Sequence, residues 1–252
     1  MDVLVAICNH NFNENAVKLK RFFAPSFATL ILDSGSSTTV EEFDVCMPNV
    51  YYAGLWNKAV ELAYARNAEW LLMCSSDISI TRADGFDQYL REAMNDARIG
   101  VYSPSLRPDS RGTFAACRNQ SSGGIRFVRN CEGFFFLART NILQRLYPVD
   151  PTLNQMGWGL DTAACTMAEK RGYENAIDDR WEIYHPASIH VDEAHTREAL
   201  RQYVQYEAYL WKAQGLRIRK YRNLHRITGL IPKVWRKGKH YARRLIGRKI
   251  MG

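Results

Sequence analysis

The chain has 252 residues, with 34 Lys or Arg against 26 Asp or Glu and a formal net charge of +8. That length suits one α/β domain with a sizeable core plus an appendage rather than two full domains, and no apolar run approaches the roughly 20 residues needed to cross a bilayer. The charge is uneven: residues 208–252 hold fourteen Lys or Arg and no Asp or Glu, leaving 20 basic against 26 acidic residues before them.

Val3-Leu-Val-Ala-Ile-Cys8 is a continuous apolar run rich in β-branched residues, the pattern of a parallel strand buried on both faces. Asn9-His-Asn-Phe-Asn13 turns the chain into a helix expected over 14–23, and Ala28 to Leu32 returns as a strand, completing a βαβ unit. Apolar residues at helical spacing from Leu55 to Ala65 predict a second helix, leading into a strand from Trp70 to Cys74. A polar helix over 84–97 and a strand near Gly100-Val-Tyr-Ser103 follow. Residues 104–126, rich in Ser, Arg and Gly, read as an irregular loop, either mobile near a substrate or a plain surface excursion. Gly133-Phe-Phe-Phe-Leu-Ala138 reads as another buried strand, and Thr162 to Arg171 as a helix stopped by Gly172. The fold class expected is therefore α/β, a mixed and mostly parallel Rossmann-like sheet flanked by helices. The six cysteines are scattered without a Cys-x-x-Cys pair and read as reduced core residues.

Polar residues that directly follow buried strands converge at one end of an open α/β sheet, where ligands bind. Asp33 precedes Ser-Gly-Ser, whose glycine permits close backbone approach, and its plain alternative is a turn or cap residue. Asp77 ends Ser75-Ser76-Asp77 after an apolar strand, and its carboxylate is a hard ligand suited to Mg²⁺ or Mn²⁺. Asp161 follows Gly157-Trp158-Gly159 at the start of a helix, where a carboxylate can serve as a general base or simply as an N-cap. Trp158 is either an apolar platform for a sugar ring or a core residue. Arg107, Arg111, Arg118 and Arg126 surround the irregular loop and receive no assignment.

The order Leu30-Ile-Leu-Asp33-Ser-Gly-Ser, Trp70 to Ser-Ser-Asp77, Gly157-Trp-Gly-Leu-Asp161 and Ile183-Tyr-His185-Pro resembles the GT-A glycosyltransferases, in particular the inverting family 2 enzymes, over about residues 3 to 200. The resemblance implies a sugar transferase of hexosyltransferase type that moves a sugar from a UDP-sugar to a hydroxyl of a glycan or glycolipid acceptor in surface-polysaccharide or lipopolysaccharide synthesis. It implies nucleotide-sugar contacts from Cys8, Asn9, Asn11, Asp33, Asn57, Ser75 and Ser76, and acceptor contacts from Gly157, Trp158 and Gly159. It implies Mn²⁺ or Mg²⁺ on Asp77 and a downstream histidine, His185 ranked before His190 with His195 competing, and Asp161 as the base. The sequence departs from the family where Ser75 replaces the first acid of the metal motif and Leu160 replaces the acid before Asp161.

The domains expected are a catalytic unit over 1–207 and a basic amphipathic helical tail over 208–252. In the tail, Leu230, Ile231, Val234, Trp235, Tyr241, Leu245, Ile246 and Ile250 interleave with Lys and Arg, a pattern suited to an anionic membrane surface. Because Met1-Asp-Val-Leu-Val lacks the positive region of a secretory leader, the setting expected is cytoplasmic, peripheral on the cytosolic membrane face. The reading allows a homo-oligomer and expects no nucleic acid. Its rivals are a nucleotidyltransferase acting on a sugar phosphate, which ordinarily shows a Gly-rich phosphate loop after the first strand, and a non-enzymatic nucleic-acid binder led by the tail.

Overall fold

A computed structural model describes residues 2–112, 114–186 and 193–218. Its centre is a nine-stranded sheet in the order β3-β2-β1-β4-β8-β6-β9-β5, with β7 also paired to β9. The strands are β1 (Val3–Asn9), β2 (Ala28–Ser34), β3 (Val45–Met47), β4 (Trp70–Ser75), β5 (Ser79–Arg82), β6 (Ile99–Leu106), β7 (Ile125–Val128), β8 (Phe135–Arg139) and β9 (Glu174–Tyr184). β1, β2, β3, β4, β6 and β9 run one way, and β5, β7 and β8 run against them. Every residue of β1 is buried, as its unbroken apolar run requires of a strand covered on both faces.

The helices are α1 (Asn13–Phe23), α2 (Tyr51–Ala65), α3 (Phe86–Asn95), the one-turn α4 (Thr140–Leu143) and α5 (Pro151–Asn154), α6 (Leu160–Lys170) and α7 (Glu193–Gln214). Consecutive Phe135 and Phe136 of β8 point to opposite faces of the sheet. Phe135 packs with Phe23 of α1 and with Trp181 of β9, against which Phe86 of α3 also lies, so α1 and α3 cover one face. Phe136 meets Trp56 of α2 on the other face, which α4 and α6 extend. All six cysteines are free and all but Cys46 are buried.

The domain boundary expected after residue 207 falls inside α7. That helix buries Ala199, Tyr203, Tyr206 and Leu210, and the chain beyond it buries Leu216 and Ile218, so the packed unit runs to at least Ile218. The amphipathic pattern expected between Leu230 and Ile250 lies outside the described residues. The irregular loop is more regular than its composition suggests. β6 continues through Leu106, a short 3₁₀ turn spans Ala115–Cys117, and the amides of Arg107 and Arg111 donate to the carbonyls of Ile183 and His185.

Candidate active site

Because β1, β2, β4, β6 and β9 share a direction, their carboxyl ends share a rim, and the residues following them meet there. Strand register sets Asn9 beside Asp33 and Cys8 beside Ser75. β8 runs the other way, so the residues that precede it, Glu132 to Phe134, reach the same rim.

At the β1 and β2 ends, Asp33 is 1% exposed and fully engaged. Its Oδ1 accepts from Asn9 Nδ2 at 2.8 Å and from the Ser36 hydroxyl at 2.5 Å, and its Oδ2 accepts from the Ser36 amide at 3.0 Å. Asn11, at φ 64°, accepts from the Ser37 amide through Oδ1 and donates its own amide to Ser36 Oγ. Gly35 is in the left-handed region at φ +67°, and a Cβ there would stand 2.6 Å from the Asn49 nitrogen, so the close approach expected of this turn requires glycine. Asp33 thus organises the two loops rather than merely ending a strand. Cys8 is buried, and burial pushes its thiol up to about 12, which removes it as a nucleophile. Asn57 lies elsewhere: its amide donates to the Val149 carbonyl and accepts from the Val149 amide, both at 2.8 Å. It fastens α2 to the segment before α5, in place of the nucleotide contact expected of it.

At the β4 and β9 ends, Asp77 and His185 meet, with Nε2 3.3 Å from Oδ2. Nδ1 of His185 lies 3.0 Å from the Arg111 carbonyl oxygen, which only accepts, so Nδ1 carries a proton and Nε2 is the ring nitrogen turned towards Asp77. Phe134 stacks on the imidazole at 4.0 Å between centroids and 3° between planes. Burial opposes ionisation of Asp77, yet the hydrogen bond and charge of His185, with the Ser75 hydroxyl, hold its carboxyl below the usual carboxylate range. Asp77 Oδ1 is buried and has no hydrogen-bond partner. An imidazole nitrogen and an orphaned carboxylate oxygen, side by side, fit a divalent cation. Among the described residues no group of three or more His, Cys, Asp or Glu is placed to hold a metal unaided. Ser76 is buried, its amide donating to the Cys8 carbonyl and its own carbonyl accepting from Asn15. His190 and the side chain of His195 lie outside the described residues.

Asp161 stands across Gly133 from this pair: a Cβ on Gly133 would lie 3.4 Å from Asp161 Oδ2. It is 4% exposed in the first turn of α6, and its Oδ1 accepts from the Thr162 amide at 2.6 Å. Gly159, not Asp161, is the N-cap of α6, and Asp161 satisfies a free amide of its first turn. Gly157 and Gly159 both have positive φ, and a Cβ on them would meet the Tyr52 and Tyr203 rings at 2.5 and 2.6 Å. The Gly-Trp-Gly segment is therefore a close-packed hinge into α6, with Trp158 half-buried against the core.

Tyr52, Phe134 and Glu132 were not singled out by the sequence. The Tyr52 hydroxyl donates to the Gly133 carbonyl at 2.8 Å, and burial, reinforced by Cys8, Asp161, Cys74 and Asp77, drives its pKa well above the usual phenol value. Glu132, 2% exposed, accepts from the Phe114 amide at 2.6 Å and so ties the 107–118 loop to the start of β8. Of the four loop arginines, Arg107 pairs with Asp109, Arg118 bonds the Pro108 and Ser110 carbonyls, and Arg126 pairs with buried Asp179. Arg111 is exposed beside His185.

No family model matches the chain, and no curated protein matches its sequence. Solved structures do resemble it. The mannosyltransferase PcManGT from Pyrobaculum calidifontis, in complex with GDP-Man and Mn²⁺, superposes with a TM-score of 0.57 at 14% identity, over 85% of this chain and 65% of that one. S. aureus TarS 1-349 in complex with UDP-GlcNAc gives 0.58 at 12% identity, over 94% and 79%. GalNAc-T7 with UDP, GalNAc and Mn²⁺ gives 0.55 at 10% identity, over 90% of this chain and 53% of that chain. These likenesses establish the fold, which is GT-A.

Proposed function

We propose that this chain transfers a sugar from a nucleoside-diphosphate sugar, a UDP-sugar in the first instance, to an acceptor hydroxyl with inversion at the anomeric carbon. The observation that carries the reading is the meeting of Asp77 and His185 at two strand ends, with Asp77 Oδ1 left without a partner and Asp161 across Gly133. The named complexes of similar fold hold UDP-GlcNAc, UDP or GDP-Man, which supports a donor of this class.

In this mechanism the loops organised by Asn9, Asn11, Asp33 and Ser36 seat the nucleoside. Asp77 and His185 are the residues that would hold Mn²⁺ or Mg²⁺, which when bound neutralises charge on the departing diphosphate. Asp161 takes the proton of the acceptor hydroxyl as its oxygen bonds to the anomeric carbon and the bond to the diphosphate breaks. A base so placed contributes about 10² to 10⁴ in rate. The acceptor is a glycan or glycolipid, and the basic segment after Ile218 brings the enzyme to the anionic membrane surface that carries it. That setting is cytoplasmic, on the membrane face.

The test is a donor panel scored for nucleotide release with and without Mn²⁺. Asp77→Asn should abolish transfer and remove the rise in melting temperature that Mn²⁺ with UDP gives the wild type. Asp161→Asn should lower kcat by about 10² or more while UDP affinity stays nearly unchanged. Full turnover by folded Asp77→Asn, or by the wild type in excess chelator, would refute the metal assignment. Parallel losses of UDP binding and turnover in Asp161→Asn would remove the base.

A further inference from the structure

The carboxyl end of α6 carries a cavity of about 430 Å³ lined by Arg145, Met167, Lys170, Arg171 and Gln214. It is remote from the candidate active site, because Asp161 lies in the first turn of the same 11-residue helix and Lys170 ends it, roughly 14 Å away at 1.5 Å per residue. Three cations line it and no carboxylate does. The frame is fixed: Lys170 Nζ donates to the Gln214 carbonyl at 2.7 Å, and Gln214 Nε2 donates to the Arg145 carbonyl at 2.9 Å. The guanidinium groups of Arg145 and Arg171 have no hydrogen bond or ion pair with any other described residue. Residues 219–252 contain no Asp or Glu, so no acidic side chain from that segment neutralises them.

We infer that this cavity binds a phosphate ester, distinct from the nucleotide donor. Planar guanidinium forks match phosphate oxygens two at a time, and a cluster of like charges in an open concavity, without a carboxylate among its described lining residues, favours an anion. Trp211, one turn before Gln214, is 49% exposed with Arg217 over its ring at 4.1 Å, and Tyr147, two residues beyond Arg145, is 40% exposed. Exposed aromatic rings among cations are the surface chemistry of a membrane interface, which directs attention to phosphate in a lipid headgroup. The inference does not rest on the donor-site reading.

The experiment uses the full chain and the pair Arg145→Ala/Arg171→Ala, both exposed positions, with Arg145→Gln/Arg171→Gln as the milder pair should the first lower the melting temperature in buffer alone. One arm titrates glycerol 3-phosphate at constant ionic strength and follows melting temperature. The wild type and Asp77→Asn should both rise along a saturating curve, and the double variant should bind about tenfold or more weakly. A second arm compares sedimentation with phosphatidylcholine vesicles containing either phosphatidylglycerol or an equal charge of oleate. A loss by the double variant confined to phosphatidylglycerol identifies the headgroup as the source, whereas a loss confined to the first arm identifies a soluble ester. Equal binding of wild type and double variants in both arms overturns the site.

Discussion

Phe134 shows how one side chain can set the geometry of another. The His185 ring is fixed on one edge by the Arg111 carbonyl and on one face by Phe134, so its Nε2 has a single direction to offer. Partners of this kind around a metal-binding histidine are commonly worth 10-fold to 100-fold in metal affinity. Phe134→Leu keeps apolar volume but removes the flat face. It should weaken Mn²⁺ binding about tenfold, measured by calorimetry with UDP present, while UDP affinity without metal is unchanged. Unaltered Mn²⁺ affinity would show that the stacking is incidental. That Asp77 and His185 lie at neighbouring strand ends was legible in the sequence because each comes within two residues of a strand's end, which is where a parallel sheet opens. Phe134 and Tyr52 were not, because an aromatic inside Gly-Phe-Phe-Phe or a helical apolar stripe reads equally well as core. Asn57 misled for a related reason: an amide in a helix gives no sign of which backbone it will fasten.

β9 is the element the sequence pattern hid. Its run Ala-Ile-Asp-Asp-Arg-Trp interrupts an apolar strand with three charges, and both acids are buried. Asp178 is held by Arg180 and the Tyr102 hydroxyl, and Asp179 by Arg126 and the amides of Gln120 and Ser122. These partners come from 50 or more residues away in the Asp179–Arg126 case, a separation no local periodicity reports. Burial opposes ionisation of Asp179, but Arg126 and Ser122 outweigh it and hold the carboxyl below its usual range. A carboxyl depressed in the folded state adds stability above the unfolded pKa, and that stability is lost as pH falls through the folded value. Arg126→Ala leaves the buried carboxylate unpaired, and should cost about 3 kcal/mol at neutral pH. Because the wild type loses this contribution in acid and the variant has little of it left to lose, the gap in melting temperature between them should narrow as pH falls, as followed by thermal melts from neutral to acid. A gap that stays the same from neutral to acid would mean that the ion pair does not hold this strand.

At the scale of the molecule, α7 belongs to the packed α/β unit and not to the tail. Tyr203 lies against Gly159, and Gln202 Oε1 accepts from the Met156 amide at 3.1 Å, so this helix braces the turn that delivers Asp161. The charge count alone put the boundary too early, because Lys212 and Arg217 are basic without leaving the fold, while Leu216 and Ile218 are 1% and 0% exposed. A chain ending at Ile218 should keep the full melting temperature and lose most attachment to anionic vesicles. One ending at Gln214 loses two buried side chains worth about 2 kcal/mol each, and should melt roughly 8 °C or more lower. Equal melting of the two truncations would place the boundary back inside α7, and vesicle binding by the Ile218 form equal to that of the full chain would detach the tail from the membrane.

The reversed direction of β8 has a consequence for how such a chain can diversify. In the neighbouring strands a residue reaches the reacting rim by coming after the strand, but in β8 it does so by coming before. Extra residues inserted ahead of Phe135 therefore enlarge the segment above the rim that carries Asp77 and His185, and extra residues after Arg139 emerge at the far rim. The 107–134 stretch is thus the part of the chain whose length can change what surrounds the rim while the turns after β1, β2 and β4 stay unchanged.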